Sequence, residues 1–289
     1  MGIELAQLLV NGLALGGILA LGSVGLTLTY GILRLSNFAH GDFLTLGAYL
    51  TLLANQGGLP LPLAMGVGCL LTVGAFWLTE QVLWAPVRRQ RTSPTTMMIM
   101  SIGLALFLRN GIILIWGSQN QNYRLPVFGA VALGPVQVTT NRLVVLAMAA
   151  VAVLLLHFLL QRTAIGRQMR AVADNPELAQ VAGIDVQRVI FWTWVVAGGL
   201  TALGGAMYGL ITAVRPNMGW FLLLPMFATV ILGGIGNPCG AMVAALIVGV
   251  AQEVSTYWLP SEYKLGVALV VMMLVLLVRP QGLFRSPVA

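Results

Sequence analysis

The sequence predicts an all-α fold, a polytopic transmembrane helix bundle of about nine spans built as two inverted repeats. Three observations lead there. Mean hydropathy is +0.92 and only 8% of the 289 residues are charged, against roughly 25% in a soluble domain. Such a chain cannot cover a soluble surface with polar groups. Second, the basic residues gather in alternate loops. That is the pattern of membrane topology, and it accounts for the net charge of +7 without nucleic acid. Third, a glycine-rich span followed by a broken apolar segment occurs once in each half of the chain.

Taken in order, apolar runs place spans at about 7–33, 43–55, 62–84, 97–116, 142–160, 190–213, 221–235, 239–258 and 265–278. Arg34, the group Arg88, Arg89 and Arg91, the arginines Arg162, Arg167, Arg170 and Arg188, and the tail residues Arg279 and Arg285 fall on one side. Arg124, Arg142, Arg215 and Lys264 fall on the other. The bias puts the first side and the C-terminus in the cytoplasm, and the N-terminus outside. The opening MGIELAQ lacks a basic signal-peptide region, so the first apolar segment reads as a retained span.

The two halves echo each other. NGLALGGILALGSVGL in the first span resembles AGGLTALGGAMYGL in the sixth. Small residues at four-residue spacing let helix backbones approach closely, which is read here as packing inside one bundle. After the first motif comes SNFAHGD and a short apolar run from Phe43 to Asn55. After the second comes RPNMGW, a run from Phe221 to Ile235 containing Pro225, and then GGIGNPCG. Paired broken segments at corresponding positions point to a transport pathway. On that ground Asn37, His40, Asp42 and Thr45 are candidates in the first half, with Tyr49 nearby. Asn217, Pro225, Thr229 and Asn237 are their second-half counterparts.

Each candidate has a plainer role beside the functional one. Asp42 can simply cap the second span, and His40 beside Gly41 can be a turn residue. Glu80 lies near a cytoplasmic end and can snorkel to water. Arg109 is deeper but can reach water or phosphate at the outer side. Glu253 reads as a packing or solvent contact and His157 as interfacial.

The longest stretch that cannot sit in hydrocarbon is the polar island from Gln161 to Arg188. Its inner part predicts a short helix from Pro176 to Ala182. Asp174 or Asn175 can cap it, Pro176 suits its first position, Glu177 favours its dipole, and Gly183 can close it. Two turns gain too little from their own hydrogen bonds to persist alone. Leu178, Val181 and Ala182 give this helix a small apolar face to bury, against a partner or against the bundle.

Several chemistries have no signature. There is no GxxxxGK[ST] phosphate loop, no HExxH and no GxSxG, and Cys69 and Cys239 form no CxxC. No chain of acidic groups crosses the membrane, which argues against a proton-driven pump. A secondary carrier or channel and an intramembrane enzyme remain as competing classes, the second without a convincing nucleophile and base pair.

SNFAHGDFLTLGAYL, GRQMRAVADNPELAQVAGIDV, ATVILGGIGNPCGAMVAALIVGV and the closing RPQGLF resemble the LivH-type membrane permease of bacterial ABC importers for branched-chain and other neutral amino acids. The resemblance covers nearly the whole chain. It implies one permease domain over 1–289 in the inner membrane, with a cytoplasmic coupling loop over 161–189. It also implies a second, LivM-like permease, two cytoplasmic ATPases that use the ATP, and a periplasmic substrate-binding protein. This chain itself would bind no cofactor or metal and would not be an enzyme. Gly166, Arg170, Ala171, Asp174, Pro176, Ala179 and Gly183 would contact an ATPase, beside Glu177, Leu178 and Val181 of the same helix. Urea and short-amide importers use closely similar permeases and give the alternative substrate.

Overall fold

The structure is a computed structural model that describes residues 2–90, 92–125, 129–133, 136–279 and 281–284. Arg91 and Arg285, used above for orientation, lie outside the described residues, as does Pro280 of the closing motif. Each of the nine apolar segments is helical. They are α1 (Gly2–Leu33), α2 (His40–Gln56), α3 (Leu61–Thr79), α5 (Pro94–Trp116), α6 (Thr140–Arg162), α9 (Val186–Ile211), α10 (Met218–Gly233), α11 (Pro238–Val254) and α12 (Lys264–Val278). The α3 segment runs on through a π-helical turn, Glu80–Trp84, into α4 (Ala85–Arg89). Two further helices, α7 (Ala164–Asp174) and α8 (Pro176–Val181), form the island. A small antiparallel hairpin, β1 (Ala130–Leu133) with β2 (Val136–Thr139), precedes α6 and carried no strong signal in the sequence.

Among the described residues, seven helical segments are long and apolar enough to cross a membrane. Helices α2 and α10 are shorter, at 17 and 16 residues. A 16-residue helix measures about 24 Å, less than the ~30 Å hydrocarbon core. Both are largely buried by their neighbours. The chain is a multi-pass membrane protein with the short helices α2 and α10 at its centre.

Glycines decide which helices meet. A Cβ on Gly12 would lie 2.6 Å from the Cα of Val250, and one on Gly16 would lie 2.9 Å from that of Leu246. The absence of side chains there lets α1 lie directly on α11. The neighbour relations exchange between the halves. Helix α1 packs on α9, α10 and α11, while α9 packs on α1, α2 and α3. Helix α2 packs on α3 and α5, while α10 packs on α11 and α12.

Candidate functional site

At the centre of the bundle the first turns of α2 and α10 cross. The chain leaves α1 through Arg34, whose φ of +53° turns it back sharply. The returning loop is tied to α5, where the Ser101 hydroxyl accepts from the Phe38 N–H at 3.0 Å and donates to the Ser36 carbonyl at 3.2 Å. Asn37 Oδ1 then accepts from the Ala39 N–H at 3.1 Å, and α2 begins. Its partner α10 begins after the loop through Asn217, an exposed residue at the helix cap.

Polar contacts hold this crossing together in apolar surroundings. Thr45 Oγ1 donates to the Gly41 carbonyl at 3.2 Å and accepts the Gly219 N–H at 3.0 Å. Gly219 stands in the first turn of α10, where backbone N–H groups have no partner within the helix. A side chain of α2 thus caps α10. His40 Nε2 lies 2.9 Å from the Gly22 carbonyl of α1 and 3.0 Å from Thr201 Oγ1 of α9. The Thr201 hydroxyl donates to Ala197 at 2.6 Å, so the imidazole Nε2–H is the donor to Gly22. On the other side of α10, the Thr229 and Ser23 hydroxyls hydrogen-bond each other, tying α10 to α1.

Four roles read from sequence are corrected here. Asp42 does not cap α2, which starts earlier, at His40, with Ala39 in the cap position. Asp42 is instead fully buried and takes a two-pronged ion pair from Arg109 of α5, at 2.9 and 3.1 Å. Arg109 does not turn out to water or phosphate, since its side chain is 15% exposed and its guanidinium lies 4.6 Å from the Trp220 ring centre. The pairing of charges in low dielectric is the physical reason for both corrections. Glu80 does not snorkel. It is 1% exposed in the π-helical turn, where Arg88 pairs with it and Trp194 Nε1–H donates at 2.9 Å. His40 is the first helical residue of α2 and is buried, not a turn residue.

The eight pathway candidates therefore divide. His40, Asp42, Thr45 and Thr229 are fully buried in contacts between helices, Asn37 is fully buried in the loop before α2, and Asn217 is exposed. Pro225 lines a cavity of about 380 Å³ at one end of the bundle, beside Asn11, Arg142 and the Glu253–Lys264 ion pair. Asn237 lines a second cavity, of about 240 Å³, at the end that carries the island. Sequence reasoning passed over Ser23 and Thr27, although hydroxyls four apart mark one face of α1. Thr27 Oγ1 accepts the Gly236 N–H at 3.0 Å, which pins the α10–α11 turn to α1.

The island follows its local signals closely. Thr163 caps α7 through the Gly166 N–H at 3.1 Å, and Arg170 donates to the Leu160 carbonyl. Helix α7 ends where the Asn175 N–H meets the Ala171 carbonyl at 3.1 Å, just after Asp174. Of the two cap candidates Asn175 caps α8, accepting the Leu178 N–H at 2.9 Å, with Pro176 first and Glu177 in the first turn. Gly183, at φ +85°, closes the turn. Ala179 is turned inward, whereas Leu178 is 66% and Val181 86% exposed.

The described residues hold no group of three or more side chains that could bind a metal ion.

Residues 8–276 match the family described as branched-chain amino acid transport system, permease component. The chain belongs to this family. The LivH permease of the high-affinity branched-chain amino acid transport system of Escherichia coli (strain K12) is 32% identical over 97% of this chain and 96% of its own length. BraD of Pseudomonas aeruginosa, a permease of the same description, is 31% identical over 97% of this chain and 96% of its length. Among solved structures, PsaBC from Streptococcus pneumoniae in complex with Fab superposes with a TM-score of 0.54 at 16% identity, covering 98% of this chain and 92% of that one. That likeness shows the membrane permease fold. The family's members are transport subunits, so this permease is a transporter subunit and not an enzyme.

Proposed function

We propose that this permease is the membrane subunit of an ATP-driven importer that moves branched-chain amino acids into the cytoplasm across a bacterial inner membrane. The observation that carries this is similarity over nearly the full length of both chains to permeases named for that transport. The other reading of the sequence, a urea or short-amide importer, has no specific observation in its favour. The chain is one domain with the coupling loop over 161–189, binds no cofactor, and relies on partners for ATP hydrolysis. Those partners are two cytoplasmic ATPases, a second, LivM-like permease and a periplasmic substrate-binding protein.

Topology follows the basic residues, with the N-terminus outside and the island and C-terminus in the cytoplasm. The nine segments form two inverted halves. The exchange of neighbours between α1 and α9, α2 and α10, and α3 and α11 supports this. So does the reciprocal contact of Gly41 with Gly219. In this reading α2 and α10 meet N-terminus to N-terminus at mid-membrane, and substrate passes along the surfaces that they and α1 control. Positive helix ends suit the carboxylate of a zwitterion without requiring a full charge.

The test is reconstitution with these partners in proteoliposomes. ATP-dependent accumulation of leucine, isoleucine or valine is expected. Uptake driven only by an ion gradient, or ATP-driven uptake of urea alone, would contradict the reading.

A further inference from the structure

We propose that the 240 Å³ cavity at the island end is a binding site for a small aliphatic amino acid arriving from the cytoplasm, through which internal product slows import. The inference rests on the transport reading above for its ligand class and on the cavity for its location. Three groups of lining residues match the three parts of such a molecule. Leu28 and Ile32 of α1 with Leu160 and Met169 offer an apolar wall to an aliphatic side chain. Asp174 offers a carboxylate to an ammonium group, and Arg170 a guanidinium to a carboxylate.

The charges are placed for a bridging ligand. Arg170 and Asp174 stand four apart on α7 and line the same cavity, yet they form no ion pair with each other or with another described residue. Arg170 is drawn aside by its hydrogen bond to the Leu160 carbonyl. Helix ends reinforce the polarity. The C-terminal end of α7, at Asp174, favours a cation, and the N-terminal end of the 17-residue α11, at Pro238 and Cys239, favours an anion. Thr27 is 1% exposed and lines the cavity. It accepts from Gly236, and its own O–H has no acceptor among the described groups, which leaves a buried donor for a ligand carboxylate. The volume lies just below the ~300–1,000 Å³ typical of drug-sized ligands, a fit for something smaller.

Position supplies the regulatory consequence. One wall is α7, which leads directly into α8, and the opposite wall is the α10–α11 turn. An amino acid bridging them would resist relative motion of the coupling segment and α10.

Cys239 lines the cavity and is half-buried, so its alkylation reports occupancy without any transport measurement. The experiment uses the assembled transporter in proteoliposomes, in a Cys69→Ser background whose leucine import is measured alongside. Alkylation of this chain by N-ethylmaleimide is read by mass. L-leucine present on the ATPase side at twice its Kd should slow alkylation about threefold, whereas L-lysine should not. Leu28→Trp, which fills the cavity, should abolish both this protection and the slowing of import by preloaded leucine. Unchanged alkylation in a transporter that imports leucine would overturn the site and leave the transport reading intact. Protection without any slowing of import would overturn the feedback role. Protection in a transporter that fails to import leucine would sustain the site and count against the transport reading instead.

Discussion

Gly41 and Gly219 touch backbone to backbone where the first turns of α2 and α10 cross, each carbonyl occupying the space a Cβ on the other would need. No other residue type fits at either position without moving a helix. Replacing either with valine should force α2 and α10 apart. The cost of such overpacking is typically about 1–3 kcal/mol. Reduced thermal stability of the detergent-solubilised complex and lost uptake are expected. Gly74→Ala, at a site with no atom within 4 Å of an added Cβ, should behave like the parent. Equal behaviour of all three variants would count against the crossing.

The Asp42–Arg109 pair makes a different prediction. Asp42→Asn leaves the Arg109 guanidinium in the bundle without its counter-charge, and removing one partner of a buried pair costs about 3–5 kcal/mol. Arg109→Met in the same chain removes the stranded charge. The double variant should therefore recover much of the stability lost by the single one, measured by thermal unfolding in detergent. A double variant as unstable as the sum of the two singles would show that the ion pair does not couple α2 to α5.

Thr45 tests the polar contact between the halves. Thr45→Val keeps the shape but removes the acceptor for the Gly219 N–H, and an unsatisfied buried donor costs about 1–3 kcal/mol. Thr45→Ser keeps the acceptor and should retain uptake where Thr45→Val loses it, with ATPase retention the same in both. Loss of uptake in the serine variant as well would argue that the methyl group, not the hydrogen bond, matters.

How far the sequence reached depends on the range of the interaction. The caps of α8 at Asn175, Pro176 and Gly183 were legible because caps and positive φ are set within a few residues. The seven helical segments long enough to span were legible because hydrocarbon demands long apolar runs. The start of α2 was missed because the helix begins at His40, within a stretch that reads as polar. The distant partners of Asp42 and Glu80, Arg109 and Trp194, were not legible at all. Arg109 lies 67 residues beyond Asp42 and Trp194 lies 114 beyond Glu80, and only tertiary packing brings them together. Charged residues that look solvent-bound in isolation became buried because a counter-charge or donor waits inside the bundle.

In the proposed importer, force from an external ATPase would enter through α8. Leu178 and Val181 are its exposed apolar residues, and Ala179 is the residue turned toward the permease. Leu178→Asp puts a charge where a docked partner would exclude water, a cost of several kcal/mol. At about 1.4 kcal/mol per tenfold, that is a hundredfold or greater loss of ATPase affinity. The measurement is co-purification of the ATPase with the Leu178→Asp permease, alongside leucine uptake by the same preparation. Docking through α8 requires a permease that inserts in normal amount, comes away without its ATPase and imports nothing. An ATPase retained at the parent level with leucine uptake intact would contradict it.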